Sequence, residues 1–256
     1  MIDDFFDPSS PGYNGAPILS TPPSAQTAFS SVSPVGLPFG DINGALLDIT
    51  GRISSINSVV TTDFETATRF ATGAAGTGTV TFGTNGLDLA TGVTNPSSAS
   101  TTWQPNTLNV FKGSPVFAVS FEPRLSSGGI IYAGLGGNNG VFSATGAHIG
   151  FKIHTDGSLY ATQADGSTET SVLLSSVTPG DVFNLILQVH NNDSVDYYFR
   201  KYYNNDTGLY SNEFSTAKTL LTNIPSTISG NIKFLADNNA TTNSLRAIFF
   251  GATYSV

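Results

Sequence analysis

"HIGFKIHTDGSLYATQADGSTETSVLL", residues 148–174, contains three β-prone runs separated by two Asp-Gly pairs. An Asp-Gly pair between such runs is a strong signal for a tight hairpin turn, because glycine tolerates the positive φ angles that these turns require. The stretch therefore predicts three consecutive antiparallel strands, with turns at Asp156-Gly157 and Asp165-Gly166.

Short β-prone runs continue on both sides of this stretch. Asn85-Gly86 indicates a further hairpin, and the other strand candidates are "FAVSFEP", "GIIYAGL", "VFNLILQVH", "VDYYFRKYY", "NIKFLAD" and "LRAIFFGATYSV". Charged residues make up only 11% of the chain and it has 27 glycines, a composition that suits strands and tight turns better than helices. About ten strands in a region of about 180 residues predict two packed antiparallel sheets.

Charge and cysteine content exclude several classes of function. The formal net charge is -8, and no basic stripe is present to neutralise the phosphates of a nucleic acid. The chain has no cysteine, which excludes disulfides and thiolate metal sites. Its first residues, "MIDDFFDPSSPG", lack the basic and apolar regions of a signal peptide, and no long apolar run follows. We therefore expect synthesis in the cytoplasm and no membrane insertion.

Residues 1–40 are dense in proline, which prevents both helices and central strands. The segment also carries more large apolar side chains than a spacer needs, among them Phe5, Phe6, Tyr13, Ile18 and Leu19. We interpret it as an extended arm that docks onto another protein. A disordered tail with incidental aromatic residues is the alternative.

Residues 41–63 contain apolar residues at alternating spacings of four and three. They are Ile42, Leu46, Ile49, Ile53, Ile56 and Val60. This spacing predicts a short coiled-coil helix, and isoleucine in this seam favours three strands over two, so we expect a homotrimer. Gly44 and Gly51 weaken the helix, which indicates that it needs neighbouring chains. A single amphipathic helix packed on its own domain remains the alternative.

From residue 107 onward the order of features resembles the concanavalin A-like (laminin G-like) jelly rolls of phage tail fibres and other virion appendages. The matching pieces are Gly150-Phe151-Lys152, the two Asp-Gly turns, "VDYYFR" and Asn223-Ile224-Pro225. We therefore expect a mainly β protein with a jelly-roll head at 107–256. A β-hairpin and loop connector at 64–106 would join it to the coiled coil and the arm.

The layout of arm, coiled coil and head is similar to that of trimeric phage fibre proteins. The resemblance implies a virion structural protein whose arm binds other virion proteins and whose head binds a glycan of the host surface. A capsid decoration protein, a free lectin and a polysaccharide hydrolase are the alternatives, because this fold hosts all of these functions.

The residues of a hydrolase or a metal site are not evident in the sequence. Glycosidases that resemble this fold carry E-x-D-x-E or a close relative, whereas Glu122, Glu169 and Glu213 are each isolated, so no enzyme is expected. His148, His154 and His190 lack a metal-ligand spacing, and Asp156 beside His154 is typical of a turn. The loops "HNNDSVD", "NNDTG" and "DNNATTN" offer oxygen ligands for Ca²⁺ without a fixed spacing, and we predict no cofactor.

Aromatic and amide side chains are the best candidates for a glycan site. The stretch "YYFRKYYNNDTGLY" places aromatic rings beside amides and a carboxylate, the groups with which proteins commonly hold sugars. The candidates are Tyr202, Tyr203, Asn204, Asn205, Asp206 and Tyr210, together with the single tryptophan, Trp103. Because side chains alternate along a strand, we expect about half of these tyrosines to face the core. We expect Trp103, in a Ser/Thr-rich loop, to serve packing more than binding.

Overall fold

The computed structural model describes residues 59–62, 64, 67, 70–103, 115–124, 128–136, 146–190, 193–215, 217–226, 231–238 and 243–255. These residues form sixteen β-strands and no helix, so the described part of the chain contains no helix that could cross a membrane. The predicted arm and most of the predicted seam lie outside the described residues. This applies to Phe5, Phe6, Tyr13, Ile18, Leu19, Ile42, Leu46, Ile49, Ile53 and Ile56.

The described strands form two antiparallel sheets that pack face to face. Sheet A comprises β1 (Val59–Thr62), β3 (Thr79–Gly83), β4 (Gly86–Ala90), β6 (Val116–Pro123), β11 (Val182–His190), β12 (Ser194–Asn204), β13 (Leu209–Tyr210), β14 (Lys218–Leu220) and β16 (Arg246–Ser255). Sheet B comprises β2 (Phe70–Ala75), β5 (Ser98–Trp103), β7 (Ile130–Gly136), β8 (His148–Ile153), β9 (Ser158–Ala164), β10 (Glu169–Ser176) and β15 (Ile232–Asp237).

The strand order shows that the two sheets are interleaved along the chain. Sheet A follows the order β13-β12-β11-β6-β16-β4-β3, with β1 also paired to β16 and β14 to β12. Sheet B follows β10-β9-β8-β7-β15-β5-β2. The chain crosses from one sheet to the other several times, as expected for an antiparallel sandwich.

The stretch from residue 148 to 174 forms the predicted three-stranded unit. Strands β8, β9 and β10 pair in sequence, and Gly157 and Gly166 take positive φ angles of 78° and 104°. Asp156 and Asp165 close the two turns by accepting hydrogen bonds from the backbone N–H groups of Ser158 and Ser167. The hairpin predicted at Asn85-Gly86 joins β3 to β4, and each of the other strand candidates also forms a strand.

The core lies between the sheets and is rich in phenylalanine. Phe234 of sheet B contacts Phe249 of sheet A at a ring-centroid distance of 5.0 Å. It also contacts Phe64 at 5.2 Å, a fully buried residue with a positive φ of 62° between β1 and β2. In β11, Phe183, Leu185, Leu187 and Val189 alternate with residues that face away from the core. Because paired residues of neighbouring strands face the same side of a sheet, this alternation also determines which side chains of β12 face outward.

Two sequence-based boundaries are wrong. Val60, predicted to end the helical seam, lies in β1 and pairs with Tyr254 of the C-terminal strand. Local spacing carries no information about a hydrogen-bonding partner so distant in sequence, so it could not predict this strand. Residues 64–106 are not a separate connector, because β4 pairs with β16 and β5 pairs with β15. The sandwich therefore begins at β1.

Candidate functional site

Strand β12 projects beyond the neighbouring strand and forms a hairpin with β13. Pairing between β11 and β12 is irregular at Val182 and Phe183, and the last residues of β12, Tyr203 and Asn204, pair with Tyr210 and Leu209. The turn closes with a 2.8 Å hydrogen bond from the Gly208 N–H to the Asn204 carbonyl, and Gly208 takes a φ of 67°. The hairpin thus forms one edge of sheet A and carries a short aromatic stretch there.

Three of the predicted tyrosines meet at this hairpin. The Tyr210 ring lies 4.9 Å from the Tyr203 ring and 5.4 Å from the Tyr202 ring, measured between centroids. Tyr202 and Tyr203 are half-buried, whereas Tyr210 is 70% exposed. Tyr210 is therefore a ring held in place from one side and accessible from the other.

The hairpin is anchored at its base by Asp181, which is fully buried. One carboxylate oxygen of Asp181 accepts from the backbone N–H of Asn205, and the other accepts from the Thr178 N–H and lies 2.8 Å from the Lys201 ammonium. Gly180, in the same turn, has a φ of 92°. Three donors thus converge on one carboxylate and tie the hairpin to the 178–181 turn.

Two predicted sugar ligands are used by this anchor. The Asn205 amide donates to the Pro179 carbonyl at 3.1 Å, and the Asp206 carboxylate accepts from the Thr178 hydroxyl at 2.8 Å. The Asn204 side-chain oxygen accepts from the Asp206 N–H within the turn. Asn205 and Asp206 therefore have a structural role. Sequence reasoning could not predict it, because their partners in the turn at residues 178–181 are distant in sequence.

A cleft of about 580 Å³ lies between the hairpin and the segment 211–215. This segment returns along β12, where the Ser211 N–H donates to the Tyr202 carbonyl and the Ser215 N–H donates to the Phe199 carbonyl, both at 2.9 Å. The lining residues are Phe199, Arg200, Lys201, Asn204, Thr207, Leu209, Tyr210, Ser211, Glu213, Phe214 and Ser215. The cleft therefore combines aromatic, amide, hydroxyl and charged groups.

Arg200 joins the cleft to the outer face of sheet A. Its guanidinium lies 5.1 Å from the Tyr202 ring centroid and 4.8 Å from that of Phe214, and its Nη1 donates to the Asn212 carbonyl. Below it, the hydrogen-bond network orients the Asn184 amide so that its oxygen accepts from Arg200 and its nitrogen donates to Ser120 Oγ. Arg200 is 4% exposed, so it supports the cleft and contributes little to its surface.

Trp103 does not belong to this site. It lies in β5, paired with Ile232 of β15, and is 1% exposed. Its ring stacks on Phe70 in the core. The predicted loop around Trp103 is wrong, because a Ser/Thr-rich run does not distinguish a loop from a strand with one buried face. The packing role expected for Trp103 agrees with its buried position.

A second polar cluster lies on the outer face of sheet B and was missed by sequence reasoning. Glu169 forms an ion pair with Lys152 and accepts a 2.7 Å hydrogen bond from Ser171. His148 Nδ1 donates to the Gly146 carbonyl at 2.6 Å, so His148 Nε2 accepts from the Thr162 hydroxyl at 3.2 Å. Alternation along β8 places His148 and Lys152 on one face, but only strand pairing brings Glu169 to them.

The protonation states of this second cluster follow from its burial. Burial lowers the pKa of His148 to about 4, which keeps its imidazole neutral near pH 7. Burial alone would raise the pKa of Glu169, but the hydrogen bonds from Lys152 and Ser171 outweigh it and hold the pKa below its ordinary value. Because the His148 side chain has no exposed surface, the cluster is better suited to holding β8, β9 and β10 together than to meeting a ligand.

Two further carboxylates on sheet A are each paired with an arginine. Glu122, on the outer face of sheet A, forms an ion pair with Arg124 at 2.8 Å, and burial raises its pKa. Asp88 of β4 is paired with Arg246. Within the described residues no group of three or more His, Asp or Glu side chains is arranged to hold a metal ion. Of the three loops considered for Ca²⁺, only 204–208 is described throughout, and its side-chain oxygens at Asn204 and Asp206 accept hydrogen bonds within the hairpin and its anchor.

No protein-family model and no curated protein matches the sequence. Among solved structures, a native glycosidic hydrolase is similar with a TM-score of 0.55 at 13% identity, covering 78% of this chain and 96% of that one. The Bacillus licheniformis β-glucanase is similar with a TM-score of 0.51 at 11% identity, covering 78% and 99%. The VIP36 exoplasmic/lumenal domain in its Ca²⁺/Man3GlcNAc-bound form gives 0.50 at 11% identity, covering 74% and 84%.

The fold is a concanavalin A-like jelly roll. The predicted fold of the head is therefore confirmed, although at these identities the likeness extends to the fold alone. The jelly roll includes β1 to β5, which the sequence-based prediction had placed before the head.

Proposed function

We propose that this jelly roll binds carbohydrate and that the sugar occupies the cleft between the β12–β13 hairpin and residues 211–215. The observation that carries the proposal is the Tyr210 ring, which is 70% exposed yet packed against two further tyrosines at the cleft. A sugar ring has an apolar face that stacks on an aromatic side chain and hydroxyl groups that need polar partners. Asn204 and Ser211 line the same cleft and supply such partners.

The size of the cleft and the names of similar structures support this proposal. A volume of about 580 Å³ lies within the range of roughly 300–1,000 Å³ typical of small-molecule sites. The similar structures include a domain bound to Man3GlcNAc, a β-glucanase and a glycosidic hydrolase. Each is a protein of this fold whose name refers to a carbohydrate.

The wider role that we propose is that of a virion appendage. In this proposal residues 41–58 register three chains, residues 1–40 dock on other virion proteins, and the jelly roll presents its cleft to a glycan on the host surface. The heptad spacing from Ile42 to Ile56 supports the trimer. A trimeric capsid decoration protein would use the same parts. Deleting residues 1–40 should abolish incorporation of either virion protein into particles, whereas a free lectin should keep its solubility and sugar binding without this segment.

We also propose that the protein is not a hydrolase. Glu122, Asp88 and Glu169 are each held by an arginine or a lysine, whereas glycoside hydrolysis needs two carboxylates placed on either side of one scissile bond. Incubation with the bound oligosaccharide should release no reducing ends. Release that is lost in a Glu122→Gln or Glu169→Gln variant would instead establish an enzyme.

The binding proposal is tested with a glycan array followed by calorimetry on the best ligand. Tyr210→Ala should weaken binding by about tenfold, because losing the apolar surface that a sugar covers on one large side chain costs about 1.5 kcal/mol. Leu221→Ala is the matched control, since Leu221 is 69% exposed and does not line the cleft. An equal loss of affinity in both variants, or no loss in Tyr210→Ala, would show that the sugar does not bind in this cleft. We expect a chelator to leave the affinity unchanged.

A further inference from the structure

The two cationic residues that line the cleft are both engaged by the protein itself. The Lys201 ammonium lies 2.8 Å from the carboxylate of Asp181, which is fully buried and so needs a cationic partner. The Arg200 guanidinium contacts the rings of Tyr202 and Phe214 and donates to the Asn212 carbonyl. A ligand carboxylate or phosphate entering the cleft would have to compete with these contacts for its counter-charge.

The carboxylate of Glu213, unlike the two cations, is not engaged by another described residue. Glu213 lines the cleft and is exposed, and its carboxylate forms no ion pair or hydrogen bond with another described residue. Its backbone N–H donates to Ser211 Oγ at 3.3 Å, which fixes the main chain at the cleft wall. The charge that the cleft offers to a ligand is therefore negative, in a chain whose formal net charge is -8.

The Tyr210 ring strengthens this preference. The face of an aromatic ring attracts cations through its quadrupole, by about 0.5–1 kcal/mol at exposed sites. The ring and the Glu213 carboxylate both line the cleft, so each offers a favourable partner to a cationic substituent on a bound sugar. An anionic substituent would meet repulsion from Glu213 and no unengaged cation.

We infer that the cleft takes sugars that carry a protonated amine in preference to neutral sugars, and disfavours sugars that carry a carboxylate. The inference rests on the proposed carbohydrate-binding function and specifies the ligand class of the same cleft. It separates the site from one built for acidic sugars, where an arginine or lysine would face the ligand directly.

The test compares three oligosaccharides that share one β-linked backbone: glucose, 2-amino-2-deoxyglucose and glucuronic acid. Affinities are measured by calorimetry with the full chain at low ionic strength and about pH 6, because salt would screen the charge on the exposed cleft. We expect the amino sugar to bind about fivefold more tightly than glucose, the size of effect that an exposed ion pair supplies. The uronic acid should bind more weakly than glucose.

Glu213→Gln removes the charge and should reduce the difference between the amino sugar and glucose to the part that the Tyr210 ring contributes. Asp193→Asn is the matched control, because Asp193 is an exposed acid at the turn between β11 and β12, outside the cleft, and it should retain the full preference. Tightest binding of the uronic acid, or a preference that is undiminished in Glu213→Gln, overturns the inference and leaves carbohydrate binding standing. Absence of binding by all three sugars overturns both proposals.

Discussion

The His148 imidazole lies against the outer face of sheet B with both ring nitrogens hydrogen-bonded. Lys152, Glu169 and the Tyr132 ring, whose centroid is 5.9 Å away, also face it. In this site the imidazole is neutral, because burial costs more free energy for the charged form than Glu169 recovers, and its pKa falls to about 4. In the unfolded chain the same group has an ordinary pKa of about 6.5.

This difference predicts an acid-sensitive contribution to stability. Between about pH 6.5 and about pH 4, His148 is protonated in the unfolded state and neutral in the folded state. The free energy of unfolding should therefore fall as the pH drops through this range. The total loss is about 3 kcal/mol, from a pKa difference of about 2.5 at 1.36 kcal/mol per unit. Urea denaturation across this range measures it, and His148→Asn should flatten the curve. An unchanged slope in that variant would assign the acid sensitivity to other groups.

Residue identity alone was a limited guide to the candidate site. Tyr202, Tyr203 and Tyr210 were selected from the sequence and do meet in space, since a hairpin brings together residues that are close in the chain. Asn205, Asp206 and Trp103 were selected by the same criterion and have structural roles. Their partners lie in the 178–181 turn and in the core, and no local pattern connects them.

At the scale of elements, the β12–β13 hairpin depends on one buried carboxylate. Asp181 offers two oxygens to three donors, namely the N–H groups of Thr178 and Asn205 and the Lys201 ammonium. An amide in its place has one acceptor oxygen and no charge, so at least one donor loses its partner. The hairpin carries Tyr210 and one wall of the cleft, which links this contact to the proposed site.

We therefore predict that Asp181→Asn loosens the hairpin. The variant should lose about 1–3 kcal/mol of stability, the cost of leaving a buried donor unsatisfied, and its hydrogen exchange should rise most over residues 202–211. Oligosaccharide affinity should fall as well. Asp165→Asn is the control, because Asp165 also accepts backbone hydrogen bonds but does so in an exposed turn where asparagine is tolerated. Similar effects of both substitutions would contradict a special role for Asp181.

Elements with strong local signals were predicted well. The Asp-Gly turns and the apolar runs identified β8, β9 and β10, and they also identified the long strands β6, β11, β12 and β16. The short strands β1, β13 and β14 were missed, because strands of two to four residues lack a periodic pattern and are defined by hydrogen bonds to a neighbour.

At the scale of the whole molecule, the first described residues lie beside the last strand. Strand β1 pairs along the end of β16, which places Val59 opposite Ser255. Three jelly rolls joined by a seam at residues 42–56 would therefore be tethered at this edge of sheet A. The Tyr210 hairpin lies at the opposite edge of the same sheet, on β12 and β13.

The proposed trimer predicts a solution mass three times that of the 26.7 kDa chain. Light scattering on the full chain should give this value, and Ile49→Asp combined with Ile53→Asp should reduce it to that of a monomer by burying charges in an apolar seam. The jelly roll should stay folded in this variant, with unchanged oligosaccharide affinity per chain. A monomer in both cases would remove the trimer and leave a carbohydrate-binding protein.

The class of fold, the hairpin turns and the tyrosines of the proposed site follow from local sequence, because each depends on residues close together in the chain. The start of the sandwich, the burial of Trp103 and the use of polar side chains for anchoring follow from contacts between distant residues. Such contacts also bring Glu169 to His148 and place Glu213 at the cleft without an ionic partner among the described residues. These features depend on pairing between strands, and the free energy of such pairing comes from partners that a local pattern does not specify.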